Sequence, residues 1–200
     1  MMNAWDERAA LIYCDSQFID GEGHDLGRRV SDIKNLSTYS SAIPFIIGNT
    51  VSGHAAMFTK KLAQQTMPFP ATIIHDWWLS FIAASQGQVQ FFNQSLVKYR
   101  QHSGNVIGAI KVKGRKKKSK ADKLLLIRSR VALFFEACPP SADAKPVLEK
   151  IVRSYSSFGL ANNFLRMRTF FHYRDSLLAT KKRPPFRKWL FCVKMFFQIL

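Results

Sequence analysis

Acidic residues are scarce in this 200-residue chain: 13 Asp and Glu face 30 Lys and Arg, for a net charge of +17. Cysteine is scarcer, with Cys14, Cys138 and Cys192 far apart in the sequence. No C-x-x-C occurs, which argues against a disulfide framework and a structural zinc site and points to reduced thiols in a cytosolic compartment. Long hydrophobic runs are also missing. The most apolar terminal stretch, residues 189–200, is 12 residues long with Lys194 inside it. A bilayer crossing takes roughly 20 apolar residues, so this stretch can lie on a membrane but not span one. The first eight residues are acidic rather than basic-then-apolar, unlike a secretory signal. There is no internal repeat, zinc finger, heptad pattern or RNA-binding aromatic signature.

What is present is the composition of a globular protein, 47% apolar and 13% aromatic. That is too hydrophobic for a disordered chain, and the length fits one domain or one domain with an appendage. Charge divides the chain. Residues 1–110 hold 8 basic and 8 acidic side chains, and residues 111–200 hold 22 basic and 5 acidic. The boundary near residue 110 therefore separates a neutral part from a basic one.

The neutral part reads as mixed α/β. Residues 10–15 form a β-prone apolar run, and residues 17–23 turn back through a Gly-rich hairpin or loop. Residues 24–42 have no clear period and read as loop. A short strand is expected at 55–58, a short helix at 60–65, and a helix from His75 to Gln86 stopped by Gly87. Two strands, 88–92 and 96–100, flank Asn93-Gln94-Ser95. The basic part reads as helix throughout, over 121–138, 144–165 and 169–200, broken at Pro139-Pro140 and Pro184-Pro185.

Several pieces between residues 8 and 108 occur together in a meaningful order: Asn49-Thr-Val-Ser-Gly-His-Ala-Ala-Met-Phe58, Pro68-Phe-Pro70, His75-Asp-Trp-Trp-Leu79, Leu96-Val-Lys-Tyr-Arg-Gln-His102 and Asn105-Val-Ile-Gly108. With Leu11–Asp15 and Phe18–Gly23 before them, they resemble the back half of glycosyltransferase family two, in its rhamnosyltransferase-like form. The resemblance implies an α/β fold: the C-terminal part of a GT-A type mixed sheet (residues 1–110), followed by an all-helical basic tail (residues 111–200). It implies transfer of a sugar, such as rhamnose, from a nucleotide-sugar donor to a glycan or lipid-linked acceptor in surface polysaccharide biosynthesis. The family's nucleotide-binding half and its Asp-x-Asp motif for a divalent metal, Mg or Mn, would precede these residues. Asp15 and Asp20 do not form that motif, so the chain reads as truncated.

Inverting glycosyl transfer needs a base for the acceptor hydroxyl, a cation for the leaving diphosphate, and in-line placement of the donor. The resemblance makes Asp76 the base, at a helix start whose dipole favours negative charge; the other role open to it is a helix N-cap. His102 is the implied metal or diphosphate ligand, and a capping or surface residue otherwise. Arg100 can present its fork to phosphate oxygens or pair with an acid of the sheet. Trp77 and Trp78 point about 100° apart on a helix, so one can stack on a sugar while the other is core. His54 can face the acceptor or be a structural histidine.

Three readings compete for residues 111–200. Aromatics interleaved with Lys and Arg over 164–200 suit an anionic membrane surface, placing the protein in the cytoplasm, peripheral on the inner face of the cell membrane. A basic run such as Arg115–Lys120 can track nucleic-acid phosphates, although no recognition motif accompanies it. Charge runs are also commonly just solvated. Beside an active transferase, the alternatives are a catalytically inactive membrane-associated remnant or accessory protein, and a basic nucleic-acid-binding protein.

Overall fold

The computed structural model describes residue 1, residues 5–101 and residues 119–198. In chain order its elements are β1 (Ala9–Ile19), β2 (Asp25–Arg29), α1 (Val30–Ile33), β3 (Ala56–Phe58), α2 (Lys60–Thr66), α3 (His75–Gln86) and β4 (Gln88–Arg100). They are followed by α4 (Lys120–Ala137), α5 (Ala144–Ser154), α6 (Leu160–His172), α7 (Arg174–Leu177) and α8 (Pro185–Lys194). Short 3-10 turns at Ile43–Ile46 and Gly53–Ala55 precede β3.

β1 is the centre of an open, mixed, four-stranded sheet. Its near-continuous run of buried residues is what a strand covered on both faces requires. β4 runs parallel to β1, from Ala9 opposite Gln88 to Ile19 opposite Arg100. β2 and β3 pair antiparallel with β1, at Gln17–Ile19 and Leu11–Tyr13 respectively. α3 packs on β1 and β4 as the connection that a parallel pair needs. The Gly-rich hairpin expected after residue 17 joins β1 to β2. Asp20 closes it by accepting the backbone N–H groups of Gly23 and His24, both at 2.8 Å, and Gly23 takes a φ of +100°.

The elements depart from the sequence reading in four places. One is the helix expected over 169–200: α6 runs on through 166–168 to His172, and residues 178–184 leave the helix to bridge Lys34 through Lys181. Residues 24–42, read as loop, contain β2 and α1, whose side chains are mostly exposed and so leave no apolar period to detect. The two strands expected around Asn93-Gln94-Ser95 are one strand. Register shifts against Cys14, Asp15 and Ser16 absorb the polar triplet. The helix expected over 144–165 is two helices broken at residues 155–159. There Arg166, fully buried, donates to the carbonyls of Ser154 and Ser157 and over the ring of Tyr155, so the end of α5 is capped from within the core. Other boundaries follow local chemistry: Thr59 caps α2, Ser119 and Asp122 form a capping box on α4, and Pro185 opens α8.

The sheet and the helical part share one hydrophobic core. Phe134 of α4 stacks on Phe81 of α3 with centroids 4.1 Å apart and lies parallel to Trp78 at 6.1 Å. Leu148 and Ile151 of α5 and Leu177 of α7 are buried in the same cluster. The charge boundary near residue 110 lies outside the described residues.

Candidate active site

β1 and β4 are parallel, and crevices at the carboxyl ends of parallel strands are where open α/β sheets bind ligands. A cavity of about 360 Å³ lies there. Phe18 and Tyr99 enter it from the ends of β1 and β4, Asp76 and Trp77 from the start of α3, and His54 from the turn before β3. Lys34 arrives from the end of α1, and Lys181 from the segment after α7.

Asp76 is the second residue of α3, and the capping position belongs to Ile74, which makes no side-chain cap. The carboxylate is occupied elsewhere. Its Oδ1 accepts Asn49 Nδ2 at 3.1 Å and its Oδ2 accepts the backbone N–H of Gly53 at 3.3 Å. Asn49 is itself locked, because its amide donates to the Val51 carbonyl at 2.8 Å and its Oδ1 accepts the Val51 N–H at 3.0 Å. The Asn49–Gly53 segment is thus a clamp that fixes both carboxylate oxygens. A side chain at Gly53 would place its Cβ 2.8 Å from His75 Nε2, so glycine permits the close approach.

His54 Nε2 lies 3.2 Å from Ser16 Oγ, and the ring packs on Tyr99 at 4.4 Å between centroids. Burial lowers the His54 pKa below its ordinary value; Asp76 pulls it back up and Lys34 adds to the lowering. Trp77 borders the cavity, donates to the Phe45 carbonyl at 2.5 Å, and carries the Arg130 guanidinium 4.2 Å above its ring. Trp78 is the core member of the pair, buried and donating to the Thr66 carbonyl at 3.1 Å.

The structure therefore brings Asp76, His54 and Trp77 together around one cavity. Arg100 does not line it. At the end of β4 the guanidinium donates to the backbone carbonyls of Asp20 and Gly21 and so pins the β1–β2 turn. His102 lies outside the described residues.

Two lysines and an asparagine had no assigned role in the sequence. Asn49 stands within a recognisable run, but its bond to Asp76 spans 27 positions. Lys34 sits in a stretch without periodicity, and Lys181 is one cation among many in the basic tail. They meet because Lys34 bridges antiparallel to Lys181, with Asn35 N–H donating to Thr180 at 3.3 Å and Asn35 Nδ2 to Ala179 at 2.8 Å. Burial lowers the Lys34 pKa, Asp76 pulls it up and Lys181 pushes it down. Burial also lowers that of Lys181, with Arg183 adding to the effect.

The implied divalent metal needs several oxygen ligands. Asp76 is the single carboxylate among the described residues of the cavity. The one described cluster with ligand spacing is Asp20, Glu22 and His24 on the β1–β2 turn. There Asp20 is already spent on Gly23 N–H, His24 N–H and His24 Nδ1. The described residues thus do not fit such an ion by themselves. No known protein family, curated protein or solved structure matches the chain.

Proposed function

We propose that the Asp76 cavity is the acceptor side of a glycosyltransferase-like protein of GT-A, family-two type, moving a sugar such as rhamnose from a nucleotide-sugar donor to a glycan or lipid-linked acceptor. The observation that carries this reading is the clamped carboxylate: Asp76, fixed by Asn49 and Gly53, lines a cavity at the strand ends. Each oxygen accepts one hydrogen bond and keeps a lone pair for an acceptor hydroxyl. Asp76 takes the hydroxyl proton as the acceptor oxygen bonds to the anomeric carbon, and the bond from that carbon to the diphosphate oxygen breaks with its electron pair leaving on the nucleoside diphosphate. Trp77 and Tyr99 offer apolar walls to a sugar face. No step here passes through a metal. In Asp76→Asn, transfer from a nucleotide sugar, followed as nucleoside diphosphate released, falls at least 100-fold, while thermal melts show a folded chain that has lost one of the two clamp hydrogen bonds. Retained transfer removes Asp76 from the base role.

The partner proposed for the basic helical part is an anionic membrane surface on the cytoplasmic side. Among the described residues no helix is long and apolar enough to cross a membrane. α8 instead exposes Phe186 and Trp189, stacked at 6.5 Å, together with Leu190 and Arg187, and Arg183 just before it lies 5.2 Å over the Phe191 ring. Aromatic and cationic residues together are what interfacial attachment uses. In a vesicle co-sedimentation assay, the double substitution Phe186→Ser and Trp189→Ser weakens binding to phosphatidylglycerol vesicles about tenfold or more. Unchanged binding places the contact elsewhere. The single carboxylate of the cavity favours a second reading, a sugar-binding accessory protein without transfer. Ligand binding with no nucleoside diphosphate released identifies that case.

A further inference from the structure

Lys34 and Lys181 come from segments 147 positions apart, yet both line the cavity that holds Asp76. Among the described residues neither ammonium has a carboxylate within ion-pair distance. Both are half-buried. The approach is built in: a Cβ on Gly48 would sit 2.5 Å from Thr180 Oγ1 and 3.2 Å from Lys181 Cε, so the Lys181 segment lies flush on a glycine. Two lysines opposite one aspartate leave the cavity with one surplus positive charge while His54 is neutral. Desolvated charge without a partner is unfavourable, and burial already lowers the pKa of both lysines. An anionic ligand would balance the charge that Asp76 leaves uncompensated. The volume, about 360 Å³, stands at the small end of ligand pockets and accommodates one sugar unit.

We propose that Lys34 and Lys181 form an anion-binding subsite for a sugar that itself carries a carboxylate or phosphate, with a hydroxyl of the same sugar directed to Asp76. The proposal rests on the acceptor-side reading of the cavity and sharpens it to an anionic acceptor, a uronate or sugar phosphate. The lysines supply charge-assisted hydrogen bonds to the anionic oxygens, and Trp77 and Tyr99 flank the ring. The tail residue Lys181 thereby becomes part of the recognition site.

The test is a titration of the 200-residue chain with glucuronate, glucose 6-phosphate, glucose and UDP, followed by amide NMR shifts of residues 48–54. At least one anionic sugar binds at least tenfold more tightly than glucose, and comparing the two separates carboxylate from phosphate recognition. Lys34→Gln and Lys181→Gln each weaken that binding about tenfold. The Lys→Arg forms largely retain it, and Lys61→Gln, on the exposed side of α2, leaves it unchanged. Thermal melts confirm that each variant is folded. Asp76→Asn tightens anion binding severalfold by removing a like charge while abolishing transfer, so the two proposals fail separately. Glucose binding as tightly as both anions, unchanged affinity in the double Lys→Gln variant, or UDP displacing the anionic sugar from these amides overturns the subsite.

Discussion

His54 shows how one side chain carries information about the whole cavity. Packed against Tyr99 and beside Ser16, it holds its imidazole neutral to a lower pH than a free histidine does, chiefly through partial desolvation. Between that lowered pKa and the ordinary value near 6.5, the unfolded chain binds a proton that the folded chain does not. Stability therefore rises with pH across this window, and the contribution is lost as pH falls below about 6.5. His54→Gln removes this titration. Melting temperatures measured over that range should fall less steeply in the variant than in the native chain, and parallel curves would show that His54 titrates normally. Asp76 and Asn49 illustrate the limits of reading residues singly. Both belong to legible runs, but only their mutual bond shows that the aspartate is clamped rather than capping.

At the scale of elements, the strands and helices with internal signals were legible, and those shaped by partners were not. α3 announces itself through its apolar spacing and Gly87, and β1 through its continuous apolar run. β4 hides its continuity, because the polar triplet at 93–95 is accommodated by bulges against β1. The break between α5 and α6 is set by Arg166, which bonds to backbone carbonyls on both α5 and the C-terminal residues. The segment after α7 depends on a close approach as well. Gly48→Ala brings a methyl to within 2.5 Å of Thr180 Oγ1, which is buried. The segment at 179–181 must shift, at a cost of about 1–3 kcal/mol in urea unfolding. The same variant should move Lys181 away from the cavity. Unaltered stability would show that this strap tolerates displacement.

Across the whole molecule, the aromatic contact between α3 and α4 joins the sheet to the helical part. Phe134 is fully buried, and Phe134→Ala should cost about 3–5 kcal/mol. Because the core is continuous, the native chain and this variant should each unfold in a single transition, coincident by tryptophan fluorescence and far-UV circular dichroism. Separate transitions would mean that the helical part is an independent unit. Composition and periodicity, acting locally, determined a globular mixed α/β beginning, a basic helical continuation and the absence of a long apolar span. They also located the His75–Gln86 helix with Asp76 at its start. Tertiary structure alone decided that the basic part closes over the sheet, that Arg100 faces the turn rather than the cavity, and that Lys34 and Lys181 share a space with Asp76. The physical reason is range. Propensity and hydrophobic period act over a few residues, whereas the cavity's charge balance is set by groups more than a hundred positions apart that only packing brings together.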